Sequence, residues 1–199
     1  LEFRRVLFRS SVSEGHPDKV ADAISDALLD AWLTSDPLAR VAIETLVKDG
    51  HVIVAGEVTS PATVEVDAVV RRVIREIGYT DHQRRFNAEG VAITNLIGEQ
   101  APDIARGVGR GLDQGAGDQG LVFGFACRET PELLPLPIAL AHALTRRLAD
   151  ERKANRVPWL RPDAKAQVTV RYEGNRPVEV TDVVVSTQHA SGFDQTALR

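Results

Sequence analysis

The stretch "RVAIETLVKDGHVIVAGEVTS", residues 40–60, constrains this chain more tightly than any other. Two runs rich in β-branched residues flank Asp49-Gly50, a dipeptide that favours two-residue hairpin turns because it tolerates positive φ. Such a turn pairs Lys48 with His51 and sets the register of every other pair. One face then carries Val41, Ile43, Thr45, Val47, Val52, Val54 and Val58, and must be buried. The opposite face carries Ala42, Glu44, Leu46, Ile53, Ala55 and Glu57. Glu44 opposes Ala55, so Glu57 is its diagonal neighbour, about 7–8 Å away. The inference depends on the turn, since a one-residue slip would separate the two carboxylates.

Around this hairpin the periodicity alternates between helix and strand. Residues 17–33 are predicted as a helix, with Val20, Ile24, Ala27, Leu28 and Ala31 at helical spacing and Pro17 suited to the first turn. Asp22, Asp26 and Asp30 read as a solvated row. Ser60-Pro61 is expected to cap a second helix with Val66, Val69, Val70, Val73, Ile74 and Ile77 on one stripe and Gly78 as its stop. A strand is expected through "GVAITNLI", and a buried strand through "LVFGFAC", which makes Cys127 a core residue. A third helix is expected to start near Pro137, carrying Ile138, Leu140, Ala141, Leu144 and Leu148. Two final strands, "AKAQVTVRYEG" and "PVEVTDVVVSTQ", flank a Gly174-Asn175 turn. Antiparallel pairs with segregated helices predict an α+β fold rather than a doubly wound sheet.

Composition removes several function classes. A net charge of −4 gives no bulk attraction to nucleic acid or anionic membranes. The single cysteine excludes an internal disulfide and suits a reducing cytoplasm. The greasiest run, "LLPLPIALAHAL", is too short and proline-broken to span a bilayer, and no cleavable signal is visible. A soluble, cytoplasmic protein is expected. The opening "LEFRRVLFRS", with its paired arginines, fits poorly with the rest of the chain, which has no methionine. Residues 1–10 are therefore expected to be a partly non-native start and are left out of the fold reading, and the chain is expected to be an internal fragment of a longer protein.

Three motifs carry chemistry. In "EGHPDK", residues 14–19, His16 can donate to a phosphate oxygen, Asp18 can hold a hard divalent cation, and Lys19 adds positive charge. Spacing alone leaves a helix start and a phosphate site equally open. "GAGDQG", residues 115–120, matches the dinucleotide fingerprint only formally, because a long loop precedes it and a strand is expected after it. There remains a cramped glycine turn in which Asp118 could meet a ligand hydroxyl or amine. "WLRPDAK" puts Asp163 and Lys165 on one side of a strand entrance, which suits phosphate and ribose or base groups, with ordinary surface charge as the competing reading. The other histidines, His51, His82, His142 and His189, have no metal-ligand spacing.

Seven segments then carry a resemblance: "SVSEGHPDKVADAISDA", "AIETLV", "VAGEVT", "REIGY", "GAGDQGLVFGFA", "VPWLRPDAKAQV" and "STQH". In order and with matching gaps from Ser11 to about Gln188, they resemble the S-adenosylmethionine synthetase (methionine adenosyltransferase) family. The resemblance implies domains of mixed sheet with helices on one face, pseudo-threefold in the full-length parent. It implies an N-terminal domain over 11–100, a gating loop over 101–112, a truncated central domain over 113–199, and an absent C-terminal domain.

The implied reaction joins ATP and L-methionine and releases phosphate and pyrophosphate, with Mg²⁺ and K⁺ as cofactors. His16 and Lys165 would be catalytic; His16, Asp163, Lys165 and Asp118 would bind ATP; Glu57, Gln100 and Asp118 would bind methionine. Asp18 would hold magnesium and Glu44 potassium. The family assembles as homodimers or dimers of dimers, with active sites shared between subunits. Ser10 stands where the family usually has a glutamate, and without the third domain the chain is expected not to complete catalysis. The alternatives are a nucleotide-binding module and a magnesium-dependent triphosphate hydrolase without methionine transfer.

Overall fold

The computed structural model describes residues 4–99, 109–110, 113–114, 121–192 and 196. They divide into two units that interleave along the chain, one drawn from residues 1–20, 75–80 and 126–199, the other from 21–74 and 81–125.

The first unit contains β1 (Arg4–Val12), α3 (Leu136–Lys153), β7 (Leu160–Glu173) and β8 (Arg176–His189). The strands form an antiparallel sheet in the order β1-β7-β8. Strict alternation along β7 sends Leu160, Pro162, Ala164, Ala166, Val168, Val170 and Tyr172 inward. Ala141 of α3 packs into a cluster with Val168, Val170 and Tyr172, bordered by Leu7, Leu136, Leu140 and Leu144. The buried Tyr172 hydroxyl donates to Glu129 Oε2 at 2.6 Å, and the Leu136 N–H donates to the same oxygen at 2.9 Å. One carboxylate thus satisfies a core phenol and a helix N-terminus that would otherwise lack acceptors.

The second unit holds most of α1 (Pro17–Ser35), β2 (Arg40–Lys48), β3 (His51–Thr59), most of α2 (Val66–Ile77) and β4 (Ala92–Gly98). The hairpin has the expected register, Lys48 opposite His51, Glu44 opposite Ala55 and Glu57 opposite Ala42, with Asp49 at φ 48. Val52 and Val54 are fully buried, while Glu44, Leu46 and Glu57 are exposed. Ser25 Oγ lies 2.9 Å from Thr45 Oγ1, so α1 covers the inward face of β2. α1 buries Val20, Ile24, Leu28 and Trp32 at four-residue spacing and exposes Asp22, Asp26 and Asp30, as its pattern predicts. β4 runs parallel to β3, and the connection between them includes α2. Two more short strands, β5 (Gly109–Arg110) and β6 (Asp113–Gln114), pair with each other. The architecture is α+β, with one antiparallel and one mixed three-stranded sheet. No described helix is long and apolar enough to cross a membrane.

Residues 4–10, left out of the fold reading above, form β1 with Ser11 and Val12, which pairs along its whole length with β7, from Arg4 opposite Glu173 to Val12 opposite Lys165. Two sequence expectations fail. The second helix starts at Val66, not after Ser60-Pro61. Ser60 Oγ instead donates to Asp36 Oδ2 at 2.6 Å and accepts from Ala62 N–H, forming a local turn. "LVFGFAC" is neither a strand nor buried. Leu121, Val122, Phe123 and Phe125 are largely exposed and Cys127 is half-buried. An apolar run becomes a buried strand only where a neighbouring strand supplies its hydrogen bonds, and among the described residues none pairs with this one.

Candidate active site

The turn between β1 and α1 is fixed by hydrogen bonds to the start of β7. Ser13 is buried, and its N–H donates to Ala164 O at 2.8 Å. Its hydroxyl donates to Pro162 O at 2.6 Å and accepts from Ala164 N–H at 2.7 Å. Gly15 lies flat against Pro162, where a Cβ would sit 2.3 Å from both the ring and the backbone carbon. The Tyr79 hydroxyl donates to Gly15 O at 2.5 Å. This construction sets "EGHPDK" beside "RPDAK", two motifs widely separated along the chain.

His16 caps α1 through its carbonyl, which accepts from Val20 N–H at 2.9 Å. Its Nδ1 accepts from Asp18 N–H at 3.3 Å, so the neutral ring carries its proton on Nε2, as a donor. His16 is 30% exposed and Asp18 is 88% exposed. Burial pushes the Asp163 carboxyl above its ordinary range, and neighbouring His16 pulls it back. Burial also pushes the Tyr79 phenol up, reinforced by Asp163 and opposed by Arg152, so Tyr79 stays protonated as a donor. Lys165 is exposed and shares the outward face of β7 with Asp163.

The sign of the Asp163 shift gives a stability test. A carboxyl raised in the folded state holds its proton more tightly there than in the unfolded chain. Its contribution is intact below about pH 4 and is lost as the pH rises through the native value. Asp163→Asn is therefore expected to melt higher than the parent chain at pH 7, with the difference closing toward about pH 4 in a thermal series. A lower melting temperature at pH 7 would mean that the ionised carboxylate is a net stabiliser.

The remaining sequence candidates are distributed unevenly. His16, Asp18, Asp163 and Lys165 fall in the first unit. Glu44 and Glu57 lie in the second, together on the exposed face of the β2–β3 hairpin beside Leu46. Gln100 and Asp118 lie outside the described residues, as does most of the 101–112 loop. Sequence reasoning missed Ser13, Tyr79 and Arg152. "REIGY" ended in a residue with no assigned role, and no local spacing links Tyr79 to Gly15.

Among the described residues, no three His, Cys, Asp or Glu side chains converge to hold a metal by themselves. Asp18 is instead a single exposed carboxylate beside cationic donors. That fits magnesium, which takes one or two carboxylates and completes its shell with water and substrate phosphates. Glu44 is likewise an exposed carboxylate on the β2–β3 face.

Residues 5–102 match the family model described as S-adenosylmethionine synthetase, N-terminal domain, and residues 113–199 match its central domain. The chain is 53% identical over 207 aligned residues to the S-adenosylmethionine synthase of Salinispora arenicola, covering 98% of this chain and 52% of that protein. It is 58% identical over 192 residues to that of Sorangium cellulosum, covering 94% and 46%. It is 56% identical over 199 residues to that of Sulfurimonas denitrificans, covering 98% and 50%. The chain thus spans about half the length of these relatives. With two domain models matched in order and such identities along nearly its whole length, the chain belongs to the S-adenosylmethionine synthetase family.

Proposed function

We propose that this chain supplies the triphosphate-facing part of a cytoplasmic, homodimeric enzyme that makes S-adenosylmethionine from ATP and L-methionine. The observation that carries the reading is the hydrogen-bonded seam that holds His16 and Asp163 in one unit, with Lys165 on the same strand face. The methionine sulfur attacks the ribose 5′ carbon of ATP. The carbon–oxygen bond breaks, tripolyphosphate leaves, and its hydrolysis yields phosphate and pyrophosphate. Such a reaction demands positioned donors for a highly charged leaving group more than covalent catalysis.

In this reading His16 Nε2–H donates to a triphosphate oxygen near the breaking bond, and Lys165 adds positive charge. Asp163 accepts from ribose or base donors, with Asp118 completing the ATP contacts. Glu57, Gln100 and Asp118 take the methionine. Magnesium held at Asp18 would neutralise phosphate charge, and Glu44 would hold potassium.

The test is mass spectrometry after incubation with ATP, methionine, Mg²⁺ and K⁺. It would compare this chain alone with the chain completed by the second half of the Sorangium cellulosum relative. S-adenosylmethionine is expected from the completed protein and not from the chain alone. Cleavage of ATP by the completed protein without any sulfonium product would favour the triphosphate-hydrolase alternative.

A further inference from the structure

We infer that Arg152 is a positioning residue that acts on the turn presenting His16 through Glu14 and the Ile77 carbonyl. Its bearing on catalysis rests on the function proposed above. Glu14 immediately precedes Gly15-His16, and its carboxylate is held by two cations from the end of α3. Arg152 Nη2 donates to Oε1 at 2.5 Å and Lys153 Nζ to Oε2 at 2.7 Å. The same Arg152 nitrogen donates to Ile77 O at 2.7 Å, a carbonyl of the last turn of α2 that has no acceptor role within the helix. Two residues further on, Tyr79 bonds to Gly15 O. The contacts close a ring: Arg152 to Glu14, along the chain to Gly15, across to Tyr79, back to Ile77, and again to Arg152. The turn that presents His16 is one side of that ring.

Burial separates this pair from an ordinary surface bridge. The Arg152 side chain is 12% exposed and Glu14 30%, whereas the neighbouring Arg156, bonded to Glu151, is 55% exposed. Exposed pairs contribute little, but a pair whose arginine is mostly shielded holds its geometry better because water competes less for the guanidinium. Arginine suits the role because one planar guanidinium directs donors to two acceptors at once, which an ammonium does less well. Nothing in this ring faces a reacting atom, so Arg152 acts by fixing where the turn sits.

The test measures binding of inorganic tripolyphosphate with Mg²⁺ by calorimetry, alongside hydrogen exchange at the His16 amide, which donates to Ser13 O. Arg152→Met and Glu14→Gln are each expected to weaken binding about tenfold and to speed His16 exchange. The double variant should lose clearly less than the sum of the two single losses, because both remove the Arg152–Glu14 contact. Arg156→Met should leave both readouts within about twofold of the parent chain. Should Arg152→Met fail to fold, Glu14→Gln and Arg152→Lys carry the comparison, the lysine recovering part of the affinity. A purely structural role would lower the melting temperature while leaving affinity and His16 exchange unchanged in the folded variants; that result overturns the inference. If the parent chain does not bind tripolyphosphate, the proposed function fails, and His16 exchange still decides whether Arg152 positions the turn.

Discussion

Gly15→Ala is expected to remove measurable binding of magnesium tripolyphosphate and to cost about 1–3 kcal/mol of stability, the usual range for overpacked sites. The added methyl would lie 2.3 Å from Pro162 C and Cβ and 2.5 Å from Pro162 O. None of these is the free end of a flexible side chain. Pro162 is buried, its carbonyl accepts from the Ser13 hydroxyl, and the turn is held by Ser13 and Tyr79. Either the turn or the start of β7 must move, and each movement displaces His16 relative to the segment that carries Asp163 and Lys165. Calorimetric titration with tripolyphosphate and thermal unfolding of the same variant check both halves of the expectation. Binding within about twofold of the parent chain would show that the turn relaxes without displacing His16.

Gly56→Ala is expected to act as strongly on the other unit. Gly56 sits at φ +137, a region closed to side chains, and a Cβ there would lie 2.0 Å from Ala42 O and 3.1 Å from Ile43 Cα. Backbone strain of about 1–3 kcal/mol adds to the disruption of the β2–β3 ladder, for a total near 3 kcal/mol or more. For a chain of this size that lowers the melting temperature by roughly 6–12 °C. The effect reaches the candidate ligands because Ala42 is the ladder partner of Glu57. A shift of register here would take Glu57 off the face it shares with Glu44. Thermal unfolding measures the first effect. An unchanged midpoint would mean that the strands separate locally at no cost.

The parts of the fold legible in the sequence are those decided by local geometry. Asp49-Gly50 turns the chain in two residues, so the pairing of Glu44 with Ala55 and the shared face of Glu44 and Glu57 came from counting. Asp163 and Lys165, two apart on a strand, had to share a side. Helical spacing likewise predicted the buried stripe of α1 and the exposed row of aspartates. The candidate site was legible only as separate motifs. The periodicity around Ser13 and Pro162 carries no sign that the two touch, and Tyr79 offered only a phenol after a helix stop.

The sequence by itself determined which face each residue takes within its own element, because side-chain direction depends on a short repeat and on turn geometry. The tertiary structure alone decided which elements meet. It recruited residues 4–12 as a strand for β7, left Leu121–Phe125 unpaired among the described residues, and brought Tyr79 and Arg152 to the His16 turn. The contacts at that turn join residues 64 and 138 positions apart. No local pattern encodes such a pairing, since the partners are selected by the polar groups each leaves unsatisfied once its own element has formed.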